Sequence, residues 1–290
     1  MRTNTWRSAA LAGLAVLAAA CGRADATPEA ARETADAPAS APAPNVVTVG
    51  ARDFSFQLPR TIPAGLTAFR LVNDGTEMHH AQLVRIGAGH TVDELMALLS
   101  RGEHNLPEWA TYVGGPNTPV PGGGVTETAL RLEAGEYALI CVIPSGDGVP
   151  HFMKGMVVPV TVEPAAAPAG EPAADVRMVL NDYSFLTTPE LKAGRRTIRV
   201  ENAATQPHEV VLVQLAPGKT AQDLVGWMEK MQGPPPGKPV GGTTAIDRGE
   251  VNFVTADLAP GEYALLCMVP DAGDGKPHIA HGMVRQVTVS

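Results

Sequence analysis

The sequence predicts an all-β protein made of two tandem β-sandwiches, each with one short helix inserted between its strands. Three observations support this fold class: short aliphatic segments separated by turn residues, a composition rich in Gly and Pro, and an internal repeat of about 127 residues. The 290 residues include 30 Gly and 26 Pro, but only 4% are aromatic and 18% are charged. Many short strands joined by tight turns give such a composition, whereas a helical bundle does not.

The residues before the repeat predict an export signal followed by a tether. Arg2 and Arg7 precede an apolar run, residues 9–20, that is too short to span a bilayer and is typical of a secretion signal. The run ends in LAAAC and resembles a bacterial lipobox, which implies cleavage just before Cys21 and lipidation of Cys21. An ordinary signal with an incidental Cys21 is the alternative. Residues 21–45 then form the lipidated Cys and a disordered tether rich in Ala and Pro.

This N-terminus and the charge balance restrict where the protein acts and what it meets. We expect a periplasmic or cell-surface lipoprotein that touches the membrane only through its lipid anchor. Removal of the signal changes the formal net charge from −8 to −10, because the signal carries two positive charges and no negative ones. An acidic chain argues against nucleic acid as a partner and favours a basic protein instead.

The chain contains an internal sequence repeat with two copies. The segment DFSF at 53–56 recurs as DYSF at 182–185, and GEYAL at 135–139 recurs at 261–265. Two copies at so long a period indicate duplicated domains, since solenoid repeats are far shorter. The predicted organisation is a signal peptide at 1–20, the lipidated Cys and tether at 21–45, a first domain at 46–163, a Pro/Ala-rich linker at 164–175 and a second domain at 176–290.

Within a copy, β-branched and aliphatic runs predict strands, and one capping pattern predicts a helix. Thr91 and Glu94 form a capping box ahead of several leucines, and Thr220 and Asp223 repeat the pattern in the second copy. The strands predicted for the first copy are Val46–Val49, Ala68–Val72, Ala81–Ile86, Thr126–Leu132, Tyr137–Val142 and Met156–Val162.

Each copy also carries an early His and then a closely spaced Cys, His and Met. Two imidazoles and a thiolate with a weak thioether contact suit copper, and the soft sulfur ligands select copper over Mg and Ca. Four potential ligands in the same order in both copies are hard to attribute to chance. The candidate metal ligands are His79, Cys141, His151 and Met156 in the first copy and His208, Cys267, His278 and Met283 in the second.

His80 and Met153 are alternative ligands when the first copy is considered alone. The repeat disfavours both, because Glu209 and Ala280 stand at the equivalent positions of the second copy. A disulfide between Cys141 and Cys267 is an alternative for an exported protein. It is disfavoured because the cysteines occupy the same buried-strand position in two separate sandwiches.

The stretch GEYALICVIP at 135–144, followed by Pro150-His151 and Gly155-Met156, resembles the ligand strand and loop of the cupredoxins, the blue copper family of plastocyanin and azurin. The resemblance covers both copies almost entirely. It implies Greek-key sandwiches that each hold one type 1 copper through the candidate ligands, and an electron carrier that meets a redox partner protein. The Cys–His spacing is longer than in plastocyanin-type loops and is closer to that of copper nitrite reductases and multicopper oxidases.

Those enzymes need further His ligands for a second class of copper, as His-x-His pairs or as a His beside the Cys. Here Ile140 and Leu266 precede the cysteines, and the chain contains no His-x-His pattern. The sequence therefore favours a carrier that is not an enzyme, in which the electron passes through an exposed His151 or His278. A copper-handling protein that binds and delivers the metal is one alternative, and a non-redox β-sandwich binding module with relic sites is another.

Overall fold

The computed structural model describes residues 43–165 and 169–290. The predicted signal, Cys21 and nearly all of the predicted tether lie outside these residues. The described part is all-β apart from two α-helices and two short 3₁₀ helices, so the predicted fold class is confirmed. Neither α-helix is long and apolar enough to cross a bilayer.

Nine strands and one helix belong to the first copy. They are β1 (Asn45–Arg52), β2 (Ser55–Gln57), β3 (Thr61–Pro63), β4 (Gly65–Asn73), β5 (Gln82–Ile86), α1 (Val92–Ser100), β6 (Ala110–Gly114), β7 (Gly124–Leu132), β8 (Gly135–Ile140) and β9 (Val157–Glu163). A 3₁₀ helix, His151–Lys154, lies between β8 and β9.

Eight strands and one helix belong to the second copy. They are β10 (Val176–Asn181), β11 (Ser184–Thr188), β12 (Gly194–Asn202), β13 (His208–Leu215), α2 (Ala221–Lys230), β14 (Gly237–Ile246), β15 (Val251–Leu258), β16 (Gly261–Leu266) and β17 (Val284–Val289). A 3₁₀ helix, His278–His281, lies between β16 and β17. All six strands predicted for the first copy are present, while β2, β3 and β6 were not predicted.

The two copies share both of their sheets. One sheet has the order β11-β10-β12-β15-β7-β4-β1-β2, and the other has the order β17-β16-β13-β14-β6-β5-β8-β9-β3. The join in the first sheet is the antiparallel pair β7–β15, with Thr128 opposite Val254. The join in the second is a single pair between β6 and β14, Val113 opposite Ile246. Strand edges that each copy would expose alone are thereby paired.

Apolar side chains fill the space between the sheets in each copy. Along β1, Val47, Val49 and Ala51 are buried while their neighbours point outward, as expected for a strand with one face on a core. Each helix covers the outer face of its own copy and begins with the predicted capping box. In α1 the Glu94 amide donates to Thr91 Oγ1, and the Thr91 amide donates back to the Glu94 carboxylate.

Candidate metal centres

Three candidate ligands of the first copy converge at one end of its sandwich. His79 follows β4, Cys141 follows β8, and His151 opens the 3₁₀ helix. Nδ1 of His79 lies 3.0 Å from Nδ1 of His151, and Cys141 Sγ lies 3.5 Å from Nδ1 of His151. The three ligand atoms all lie within 4.8 Å of one another, and all three residues are fully buried.

A turn after β4 aims His79 at this point. Asn73 Oδ1 accepts from the Gly75 amide at 3.0 Å, and Asn73 Nδ2 donates to the carbonyl of Glu77 at 2.9 Å. A Cβ at Gly75 would lie 2.8 Å from Nε2 of His79 and still closer to Oδ1 of Asp53, so only glycine fits there. The turn therefore fixes the imidazole before any metal binds.

The loop after β8 positions the remaining ligands through its backbone. The amide of His151 donates to the carbonyl of Ile143 at 3.0 Å, and the amide of Phe152 donates to the carbonyl of Cys141 at 2.8 Å. Gly155 ends the 3₁₀ helix at φ 109°, a left-handed conformation that favours glycine. The chain then reaches Met156, which is fully buried and whose backbone carbonyl accepts a hydrogen bond from the Cys141 backbone amide at 3.2 Å.

The hydrogen bonds of the two imidazoles show that the group fits a metal ion. Nε2 of His79 lies 2.7 Å from Asp53 Oδ1, and Nε2 of His151 lies 3.0 Å from Glu77 Oε2. A carboxylate only accepts, so each neutral ring holds its proton on Nε2 and turns the lone pair of Nδ1 toward the other ring. Two lone pairs and a sulfur that face one another need a cation between them, and this donor set suits copper.

The second copy repeats this geometry. Nδ1 of His208 lies 2.9 Å from Nδ1 of His278, and Cys267 Sγ lies 3.8 and 3.3 Å from them respectively. Nε2 of His208 lies 3.1 Å from Asp182 Oδ1. The three residues are fully buried. Met283 is also fully buried, and its backbone carbonyl accepts a hydrogen bond from the Cys267 backbone amide at 3.3 Å.

The acceptor for the second imidazole differs between the copies. In the first copy the carboxylate of Glu77 faces His151, whereas in the second copy Nε2 of His278 lies 3.3 Å from the neutral Gln206 Oε1. The nearest carboxylate there is Asp271, at 3.7 Å. Asp271 is already engaged by the hydroxyl of Tyr183 at 2.5 Å. The two groups therefore share their ligands but not their electrostatic surroundings.

Each thiol is fully buried and accepts one neighbouring backbone amide. The amide of His80 donates to Cys141 Sγ at 3.5 Å, and the amide of Glu209 donates to Cys267 Sγ at 3.4 Å. Burial raises the pKa of Cys141 to about 12 and raises that of Cys267 as well. Both cysteines are free thiols in the described part of the chain, which removes the disulfide alternative.

The two alternative ligands lie outside the first group. His80 is buried next to it, where its Nε2 accepts the Val142 amide at 3.1 Å. Burial, reinforced by the nearby His151, lowers the pKa of His80 to about 3. Met153 is 53% exposed. His79, and not His80, thus belongs to the group of converging His and Cys side chains. Met156 remains the predicted thioether ligand.

One sequence expectation is wrong: neither His151 nor His278 is exposed. Both have no solvent-accessible surface, because the acceptors of their Nε2 atoms and the rings of Phe54 and Tyr183 cover them. Sequence reasoning also missed the acceptors themselves, which are Asp53, Glu77, Asp182 and Gln206. The repeated Asp of the DFSF and DYSF segments was the available signal for two of them.

A third group of potential ligands lies on the surface beside the second centre. It contains Asp271, Asp274 and His281. Oδ2 of Asp271 accepts from Tyr183 and Gln206, and its Oδ1 accepts from the amides of Gly273 and Asp274. With both oxygens occupied in this way, Asp271 has little capacity left for a metal ion.

No protein-family model matches the sequence, and no curated protein matches it. Among solved structures, auracyanin from Roseiflexus castenholzii is 19% identical with a TM-score of 0.27 and covers 39% of this chain and 94% of its own. Auracyanin A from Chloroflexus aurantiacus is 20% identical with a TM-score of 0.30, covering 42% and 100%. The blue copper oxidase from Nitrosomonas europaea is 16% identical with a TM-score of 0.26, covering 84% and 85%.

Because these identities and TM-scores are low, the assignment of the sites rests on the side chains of this chain. The two groups have the donor atoms, the burial and the outer hydrogen bonds that copper requires. The His and Cys ligand sets that the predicted resemblance implies are thus present in both copies. The chain is an all-β protein with two sheets, and each of its two His-Cys-His groups fits a type 1 copper site.

Proposed function

We propose that this chain is an exported, lipid-anchored blue copper protein that binds one type 1 copper in each copy and carries electrons. The observation that supports it best is the convergence, twice in one chain, of two Nδ1 lone pairs and a thiol in a fully buried site. Copper held by such a donor set changes between Cu(I) and Cu(II) with little movement of its ligands, which makes electron transfer fast.

The residues around each group supply rigidity and exclude water. Asp53 and Asp182 hold the early His, and Glu77 and Gln206 hold the late one, so the imidazoles keep one tautomer and one orientation. Since the ligands are fully buried, water does not reach the sulfur. A preformed donor set of this kind favours repeated electron uptake and release over chemistry on a bound substrate.

Carrier activity without catalysis is part of the proposal. Among the described residues, the only further group of three possible ligands is the surface group of Asp271, Asp274 and His281, where Asp271 is saturated by its own hydrogen bonds. Acidic side chains also stand at both centres, and Glu77 and Asp182 are 35% and 42% exposed. This charge supports docking of a basic redox partner protein, and it does not favour nucleic acid.

A first experiment tests copper binding in the chain from residue 23 onward, which lacks Cys21 and retains only Cys141 and Cys267 as thiols. After addition of Cu(II), we expect an intense thiolate-to-copper band and two coppers per chain. Cys141→Ser and Cys267→Ser should each leave one copper and part of the band. A chain without a coloured band, or with copper content unchanged by both substitutions, would refute the proposal.

The anchor is tested separately on the full-length protein. Cys21→Ala should move the protein from the membrane fraction to the soluble fraction of the cell envelope, because a lipidated Cys supplies the only membrane contact in the proposal. Equal membrane retention of both forms would show that Cys21 is not the anchor.

Copper delivery is a second candidate, favoured by soft ligands at the surface of the first centre. Met78 and Met153 are 39% and 53% exposed, and each stands close in sequence to a ligand, Met78 next to His79. Exposed thioethers bind Cu(I) in preference to hard cations. Rapid loss of copper to a Cu(I) chelator, slowed by Met78→Leu and Met153→Leu, would support delivery. Tight copper with reversible voltammetry would support the carrier instead.

A further inference from the structure

A buried hydrogen-bond network crosses from the first copy to the sulfur of the second centre. Glu209, which follows His208, donates its amide to Cys267 Sγ at 3.4 Å. Its Oε1 accepts the amide of Met268 at 3.0 Å, and its Oε2 accepts Nδ2 of Asn117 at 3.0 Å. Glu209 and Asn117 are 6% and 1% exposed, so this contact between the copies is shielded from water.

Asn117 is held in one orientation by its other contacts. Its backbone amide donates to the carbonyl of Gly242 at 3.2 Å. Its side-chain Nδ2 also donates to the carbonyl of Thr243 at 3.2 Å. Its Oδ1 accepts the amide and the hydroxyl of Thr118, at 2.9 and 2.7 Å. Because Nδ2 faces only acceptors and Oδ1 only donors, the side-chain amide has a defined direction. Asn117 therefore presents a fixed donor to Glu209.

The first centre is built differently at the equivalent positions. His80 stands in place of Glu209, and both of its hydrogen bonds at the site, to Cys141 Sγ and from the Val142 amide, stay within the first copy. Thr244 stands in place of Asn117 and contacts the carbonyl of Gly115. In the described part of the chain, the residue that donates its amide to the cysteine sulfur therefore has a side-chain contact with the other copy at the second centre alone.

We propose that Asn117 of the first copy is a positioning residue of the second copper centre and acts through Glu209. The inference rests on the proposed copper binding. Without Nδ2 of Asn117, the buried carboxylate of Glu209 loses the donor at Oε2 and has to reorient. Glu209 also donates its backbone amide to Cys267 Sγ and accepts the amide of Met268. Its movement therefore changes the hydrogen bonds around the sulfur, and such bonds tune the reduction potential of a type 1 copper site. The second centre is therefore completed by the first copy.

Single-centre chains test this assignment. Cys141→Ser leaves only the second centre, and Cys267→Ser leaves only the first, which serves as the matched control. Asn117→Ala in the Cys141→Ser chain should shift the thiolate-to-copper band and the reduction potential and weaken copper binding about tenfold in competition with a chelator. The same substitution in the Cys267→Ser chain should change none of these.

A double-mutant cycle then tests whether Asn117 acts through Glu209. With Glu209→Gln already present, Asn117→Ala should have little further effect on the second centre. Equal shifts at both centres, which a general structural role predicts, or no shift at the second would overturn the proposal. A parent Cys141→Ser chain without a blue band would instead refute copper binding itself.

A measurement on the unmodified, copper-free protein keeps the proposal testable even if Asn117→Ala does not fold. The side-chain amide protons of Asn117 should exchange slowly with solvent in nuclear magnetic resonance spectra, because both donate to buried acceptors. Rapid exchange would show that the contact between the copies does not form in solution, and it would overturn the proposal.

Discussion

Glu77 offers a direct test of how residues outside the ligand set adjust the first centre. Its Oε2 accepts from Nε2 of His151 at 3.0 Å, and its side chain is 35% exposed. Glu77→Gln keeps an oxygen acceptor but removes the negative charge. Negative charge stabilises Cu(II) more than Cu(I), so we expect the substitution to raise the reduction potential of the first centre.

The expected shift follows from Coulomb's law. A metal bound at Nδ1 of His151, with a metal–nitrogen bond of about 2 Å, would lie about 7 Å from the carboxylate. A unit charge at that distance contributes about 2.4 kcal/mol at an effective dielectric constant of about 20, which equals about 100 mV for a one-electron couple. Solvent screening at the partly exposed Glu77 reduces the shift to about 50 mV. We expect a rise of about 50 to 100 mV.

Voltammetry of the Cys267→Ser chain, which carries only the first centre, measures this shift. Glu136→Gln is the matched control, because Glu136 lies at the opposite end of β8 from Cys141, about 17 Å along the strand. It removes the same charge and should leave the potential nearly unchanged. No shift with Glu77→Gln, or the same shift with both substitutions, would refute the electrostatic argument. The reciprocal Gln206→Glu should lower the potential of the second centre.

Three further predictions concern stability. Asp53→Asn should lower the unfolding free energy of the copper-free chain in denaturant titrations by about 1 to 3 kcal/mol, and Asp182→Asn by less, because Asp53 accepts four hydrogen bonds and Asp182 accepts two. Burial opposes it, but those hydrogen bonds lower the pKa of Asp53 in the folded protein. The contribution of Asp53 to the unfolding free energy should therefore be present above about pH 4 and be lost on acidification. Asp53→Asn should abolish that part of the pH dependence of stability. Thr91→Ala should cost about 1 kcal/mol by removing the cap of α1 without changing the copper spectrum, and equal stability would contradict the capping role.

The sequence was sufficient to predict the strand before each Cys and the two His and one Cys that converge in each copy, because their order and spacing are repeated along the chain. Alternation along β8 predicts that Tyr137, Leu139 and Cys141 share one inward face, and all three are buried. The alternation does not extend to exposure, since Ala138 and Ile140 are buried as well. They pack in the cluster that contains the leucines of α1, which covers the outer face of the sheet. The burial of Ala138 and Ile140 on the outer face of the sheet is therefore determined by the packing of α1 and does not follow from the strand pattern.

The continuity of the sheets was not predictable in the same way. The pair of Thr128 with Val254 uses backbone groups, which every residue has, so no side-chain pattern marks this edge as a partner. The burial of His151 was missed for a related reason. Its cover comes from Glu77, on a turn distant in the sequence, and from Phe54, and their convergence depends on the folded loops.

Comparison of the two centres distinguishes the residues that position the His ligands from those that set the charge beside them. The turn residue that aims the early His is repeated, since Asn202 accepts the Ala204 amide and donates to the Gln206 carbonyl as Asn73 does in its own copy. The acceptor facing the late His is not repeated, because Gln206 replaces Glu77. A change of this kind alters the charge at a ligand without moving it. The two centres therefore share one arrangement of His and Cys side chains, while the group nearest the late His is a carboxylate in the first copy and an amide, with the carboxylate of Asp271 at 3.7 Å behind it, in the second.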